Sequence, residues 1–152
     1  MAYHYQESGL DNVYIENGYT THKTPYGEGI SIQDTEGLHK AIGRWIVAEP
    51  NCITGAELRF LRLELELTQR TLAGLLGTME QNVRNWEKAR KKAMPGSADR
   101  LLRALYTEYV DGRSYVRRMV DRLAELDCVD TSNVQFRETG KGWSPSQGVC
   151  AA

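Results

Sequence analysis

A mainly α-helical fold with a small β module at its N-terminus is what this sequence predicts, and three observations predict it. Apolar residues recur at helical spacing through most of residues 34–127. Residues that start and stop helices stand at the ends of those stretches. Strand signals are confined to the beginning of the chain, where Asn17-Gly18 separates Val13-Tyr14-Ile15-Glu16 from Tyr19-Thr20-Thr21.

Taken in order, the first 50 residues are expected to form a β-hairpin and helix module. Asn-Gly suits a hairpin because both of its turn positions need positive φ. A second extended piece, Gly29-Ile30-Ser31-Ile32-Gln33, alternates as a strand does, and the turn-rich Thr24-Pro25-Tyr26-Gly27 lies between the two. The expectation is a small sheet of two or three strands. Asp34 then caps a helix whose apolar face is Leu38, Ala41, Ile42, Trp45 and Ile46, and Pro50 stops it.

Five further helices follow. Thr54 with Glu57 reads as a capping box, flanked by the staple Ile53 and Leu58, and opens a helix to about Leu65. Thr68 caps a second, Gln69–Leu76, which ends at Gly77. Thr78 with Gln81 reads as another capping box, opening Met79–Lys88. Pro95 sits in the first turn of a fourth, with the stripe Ala98, Leu101, Leu102, Leu105 and Tyr109. Asp111-Gly112 breaks it. Ser114 caps a fifth, with Val116, Met119, Val120, Leu123 and Leu126 on one side. The domains expected are 1–50, 51–111 and a helix at 112–128 as candidate dimer contact, followed by a flexible tail at 129–152 that is rich in Ser, Thr and Gly.

Composition narrows the function. The net charge is −1, but it is segregated: −4 over residues 1–54, +4 over 55–104 and −1 over the remainder. A basic helical segment is the footprint of phosphate contact. Three cysteines at wide spacing form no disulfide framework, and scattered histidines give no metal-ligand spacing, so no metal or cofactor is expected. There is no nucleophile–base pairing, and Gly27-Glu28-Gly29 lacks the helix a dinucleotide fingerprint needs, so an enzyme is not expected. No apolar run approaches the length of a membrane span, and no leader segment is seen; a cytoplasmic, nucleoid-associated protein is expected.

Two short helices joined by a few residues around Gly77 are the signature of a helix-turn-helix. Leu65-Glu66-Leu67-Thr68-Gln69-Arg70-Thr71-Leu72-Ala73-Gly74-Leu75-Leu76-Gly77, followed by Gln81-Asn82-Val83-Arg84-Asn85-Trp86-Glu87, resembles the phage-repressor helix-turn-helix family of the Cro and Xre kind. The resemblance implies a five-helix, lambda-repressor-like domain that binds double-stranded DNA as a homodimer. It implies phosphate contact by Gln69 and Arg70 at the start of the second helix, and a structural pair between Arg62 and Glu87. Thr78, Met79, Glu80, Gln81, Asn82 and Asn85 fall at its base-reading positions. Gln81, Asn82 or Asn85 then suits a bidentate contact to adenine, Glu80 a cytosine amino group, and Arg84 a guanine or a phosphate. Lys88, Arg90, Lys91 and Lys92 are expected to clamp phosphates. Ala89 stands where the family has a capping glycine, which leaves open a helix that runs on.

A β module before such a domain also resembles the architecture of the MqsA/YgiT antitoxin family, without its zinc-binding cysteines. Tyr3, Tyr5, Tyr14, Tyr19 and Tyr26 cluster there, first as a small core and second as a protein-binding surface. The expected function is a transcriptional repressor, autoregulatory or otherwise, that reads a palindromic operator through Met79–Lys88. The alternative is an antitoxin that holds a toxin through its N-terminal module.

Overall fold

Among the described residues helices dominate, and the strands form three two-stranded antiparallel sheets. The structure, a computed structural model, describes residues 2–124 and 135–146. In chain order the elements are β1 (Tyr3–His4), a 3-10 turn (Gln6–Ser8), β2 (Tyr14–Ile15), β3 (Tyr19–Thr24), β4 (Gly27–Ile32) and α1 (Thr35–Ala48). Then come α2 (Gly55–Glu64), α3 (Gln69–Leu76), α4 (Glu80–Lys88), α5 (Gly96–Val110), α6 (Tyr115–Ala124), β5 (Phe136–Thr139) and β6 (Gly142–Pro145). No helix among the described residues is long and apolar enough to cross a membrane.

The helix starts follow local chemistry. Thr54 accepts the Glu57 amide, and the Glu57 side chain accepts the Thr54 amide, closing the capping box of α2. Such a cap contributes about 1 kcal/mol because it satisfies amides that have no intrahelical partner. Thr68 accepts from the Thr71 amide to start α3, and Gly77, at φ 70°, ends it. Asp34 caps α1 through the Gly37 amide while itself at φ 50°. The expected box of Thr78 with Gln81 is not made: Met79 takes the cap position with no side-chain cap, and Thr78 accepts from Asn82 instead. Pro95 lies one residue before α5 rather than within its first turn.

The N-terminal sheet differs from expectation. Asn17-Gly18 joins two separate sheets: β1 pairs with β2, and β3 pairs with β4. The hairpin turn is made by Thr24-Pro25-Tyr26-Gly27, where the Thr24 hydroxyl donates to the Gly27 carbonyl at 2.6 Å and accepts from the Tyr26 amide at 3.3 Å. The tyrosines divide between the two readings. Tyr5 is buried, Tyr3 and Tyr19 are half-buried, and Tyr14 and Tyr26 are exposed. Within the stretch expected to be a flexible tail, β5 and β6 form a hairpin with the same turn: Thr139 donates to the Gly142 carbonyl at 2.8 Å and accepts from the Lys141 amide at 3.4 Å. Residues 125–134 and 147–152, which include the expected end of the last helix and much of that tail, lie outside the described residues.

One core serves both the N-terminal module and the helices. Tyr5 and Leu10 join Ile42 and Ile46 of α1, Leu58 and Leu61 of α2, Leu72 of α3, Val83 of α4, and Leu102 and Tyr106 of α5 in a single buried cluster. Gly43 lets α1 approach α5; a Cβ there would overlap the Tyr106 ring. Arg103 fastens the same junction, donating to the carbonyls of Val47, Glu49 and Asn51 while paired with buried Asp99 at 2.5 Å. Asp99 in turn accepts the Ile53 amide at 2.7 Å.

Candidate nucleic-acid interface

The amphipathic character of α4 divides its residues sharply. Val83 is fully buried and Glu87 is buried, whereas Gln81, Asn82, Asn85 and Lys88 are exposed and Met79, just before the helix, is 72% exposed. Glu80 and Arg84 are intermediate. The apolar side meets α2 and α3, and the polar side faces solvent.

The Arg62–Glu87 bridge fixes this orientation. The Arg62 Nε and Nη2 atoms donate to the two Glu87 carboxylate oxygens at 2.8 and 2.9 Å, and Nη1 donates to the Leu67 carbonyl at 2.9 Å. With side chains only 11% and 5% exposed, the pair is desolvated, and its fork geometry satisfies most of its hydrogen-bonding capacity. It joins α2, the loop before α3 and the end of α4.

The polar face of α4 is cross-linked along the helix. Gln81 donates to Asn85 at 2.8 Å, and Arg84 donates to Gln81 and to Glu80, each at 3.0 Å. Asn82 donates to Thr78 at 2.8 Å. These are the i, i+3 and i, i+4 neighbours of a helix surface. Arg84 offsets the charge of Glu80, so the acid on this face does not stand alone. The partners of Gln81 and Asn85 are other side chains at the surface, so each amide exchanges its hydrogen bond without exposing a buried group.

Beside this face lies a basic groove of about 280 Å³ lined by Arg59, Gln69, Arg84, Glu87, Lys88 and Arg90. Gln69 opens α3, whose leading amides are free to face an anion because Thr68 takes only the Thr71 amide. Arg70 is exposed one residue further on. Arg59 belongs to this groove, and sequence reasoning missed it. Alone, it looks like one more charged residue on an exposed helix face. The signal that could have found it is its place one turn before Arg62, the residue that reaches α4.

The basic segment after α4 departs from expectation at one residue. The helix itself stops at Lys88, as expected, with Ala89 as its C-cap, and the run-on left open by Ala89 does not occur. The first amides of α2 are donated to carbonyls of the loop after α4, Gly55 to Lys92 and Ala56 to Arg90, each at 3.1 Å. A Cβ on Gly55 would overlap the Trp86 carbonyl oxygen. The departure is Arg90, which donates to the Gly9 carbonyl at 2.8 Å and lies 3.4 Å from Asp11. It therefore holds the N-terminal module instead of standing free. Lys88, Lys91 and Lys92 remain exposed.

A second polar junction ties the module down. Tyr5 Oη lies 2.6 Å from His39 Nε2, and His39 Nδ1 lies 2.7 Å from Glu64 Oε1. Burial pushes the Tyr5 hydroxyl above its usual range, and the Glu7 and Glu64 carboxylates push the same way. No group of three or more His, Cys, Asp or Glu that could hold a metal ion occurs among the described residues. Comparison with protein-family models, with curated proteins and with solved structures finds no match.

Proposed function

We propose that this chain is a sequence-specific DNA-binding regulator with a lambda-repressor-like domain formed by α2–α6, acting in the cytoplasm on the nucleoid as a repressor that occludes its operator. The observation that carries the reading is α4: its apolar side and Glu87 are locked inward, while Met79, Gln81, Asn82 and Asn85 stand outward beside a groove of cations. Side chains of this type recognise base edges in a major groove about 12 Å wide. Arg59, Gln69, Arg70, Lys88, Lys91 and Lys92 are the phosphate contacts, which supply affinity without sequence information. Arg90 contributes through position, by fastening residues 9–11 beside the groove.

Reading a palindrome requires two copies with half-sites about 34 Å apart. Tyr115, Met119 and Leu123 are exposed along α6, while Val116 and Val120 turn inward, which supports α6 as the contact between copies. Met119→Asp combined with Leu123→Asp then yields monomers that bind DNA weakly; an unchanged mass by light scattering rejects that surface.

The deciding experiment is selection of bound duplexes from a random oligonucleotide pool. A palindromic preference is expected, relaxed by Gln81→Ala and by Asn85→Ala. Lys91→Ala weakens binding to all sequences and lowers the salt slope by about one. Failure to enrich any sequence overturns the reading. The antitoxin alternative draws support from the β3–β4 hairpin, whose Tyr26 is 99% exposed at its tip. Co-purification of a small partner protein that is lost on Tyr26→Ala identifies that role.

A further inference from the structure

Leu75 and Leu105 are buried, yet they stand apart from the main core cluster. They line a separate pocket of about 150 Å³ between α3, α5 and α6, together with Leu65, Leu67 and Tyr109. At its mouth stand Arg113 and Arg117. Arg117 is paired with Asp121 at 3.1 Å, whereas the Arg113 side chain has no hydrogen-bond or ion-pair partner among the described residues. Glu108, whose backbone carbonyl accepts the Arg113 amide at 2.7 Å, has its carboxylate on the Val116 amide at 2.8 Å.

We infer that this pocket is a binding site for a small aromatic or cyclic carboxylate. Two properties select that class. An apolar cavity of about this volume holds a single benzene-sized ring. A carboxylate on such a ring meets Arg113 at the opening, where a planar guanidinium offers two parallel donors to two oxygens. An uncharged ring leaves Arg113 without an acceptor, and a carboxylate without a ring leaves the leucines uncovered. A longer chain or a fused ring system exceeds the volume.

The pocket also bears on α4. Leu67 precedes the Thr68 cap and Leu75 lies on α3, so the ring rests on the helix against which α4 packs. Occupancy is expected to change DNA affinity by shifting α3 relative to α5 and α6. That last consequence rests on the DNA reading; the site itself does not.

The test is titration of the full chain with benzoate, followed by calorimetry and by amide and methyl NMR, without DNA. Saturable binding is expected, with shifts at Leu67, Leu75, Leu105 and Tyr109. Benzamide and acetate each bind at least about tenfold more weakly, the loss expected for one charge-assisted hydrogen bond or for the apolar body. Arg113→Gln weakens benzoate by a similar factor and leaves benzamide unchanged, a pattern that a general loss of folding does not give. Leu67→Phe, at the half-buried edge of the pocket, blocks benzoate while Arg113 is intact. The proposal is overturned if benzoate fails to saturate, if benzamide binds equally, or if Arg113→Gln has no effect. It is likewise overturned if the shifts show the pocket already filled by residues 125–134. A duplex-binding assay with and without benzoate then isolates the coupling: binding of benzoate with no DNA binding at all sinks the DNA reading and spares the site.

Discussion

The helices α2–α5 and the N-terminal module owe their order to different sources. Between Thr54 and Gly77, helix starts and stops are written in adjacent residues: Thr54 with Glu57, Thr68 with Thr71, and Gly77 after α3. Residues 2–33 hold two two-stranded sheets and a single 3-10 turn, an arrangement that is marginal in water by itself. What holds them is external: Tyr5 and Leu10 in the shared core, Tyr5 on His39, and Arg90 on Gly9. One region is specified by local pattern, and the other by what it docks on.

The largest expected effect falls within the helical region. Glu87→Ala strands the Arg62 guanidinium in a desolvated position and costs about 3–5 kcal/mol of unfolding free energy in urea titrations. Replacing both residues, Arg62→Met with Glu87→Leu, recovers most of that loss. A double variant as unstable as the single one breaks the view of Arg62–Glu87 as a matched pair.

The junction between the regions comes next. Gly43→Ala forces a Cβ into Tyr106 and costs about 1–3 kcal/mol. The Tyr106 hydroxyl is buried with no hydrogen-bond partner among the described residues, and burial pushes its pKa up from the usual 10.0 to about 12. A tyrosine that ionises more easily unfolded than folded loses stability for the fold as pH rises from about 10 towards 12. Tyr106→Phe is therefore expected to stabilise by about 1 kcal/mol at neutral pH, because it removes an unsatisfied buried hydroxyl. It should also flatten the alkaline decline. If the unaltered chain and the Tyr106→Phe variant lose stability equally between pH 10 and about 12, this account fails.

Smaller effects separate the regions most cleanly. Thr54→Ala removes one cap and lowers the stability of the whole helical region by about 1 kcal/mol. Arg90→Ala, at a partly exposed pair, changes global stability by less than about 1 kcal/mol. Its signature is local: faster hydrogen exchange through residues 5–15, with α2–α4 unchanged. If exchange accelerates equally in α2–α4, the two regions are a single cooperative unit.

What was legible in the sequence tracks this same division. Caps, staples and the periodic apolar stripe predicted α1 through α5 nearly to the residue, because each depends on neighbours within a turn or two. Asn17-Gly18 suggested a hairpin that does not form: Gly18 takes positive φ but Asn17 does not, and the sheets lie on either side, because which strands pair is decided by packing. The engagement of Arg90 depends on Gly9, far away in the chain. The β5–β6 hairpin carried a readable sign: Thr139-Gly140-Lys141-Gly142 repeats the Thr-x-x-Gly chemistry of Thr24-Pro25-Tyr26-Gly27.

The loop after α4 has one more consequence. The Met94 amide donates to the Ile53 carbonyl at 2.9 Å, and Thr54 and Ala93 form an isolated antiparallel bridge. The stretch carrying α2, α3 and α4 thus begins and ends at the same place, like a loop of cord drawn shut. A pull on α1 and α5 therefore meets the Ile53–Met94 seam together with the Arg103 clasp on Val47, Glu49 and Asn51, and the stretch between them is bypassed for as long as both hold.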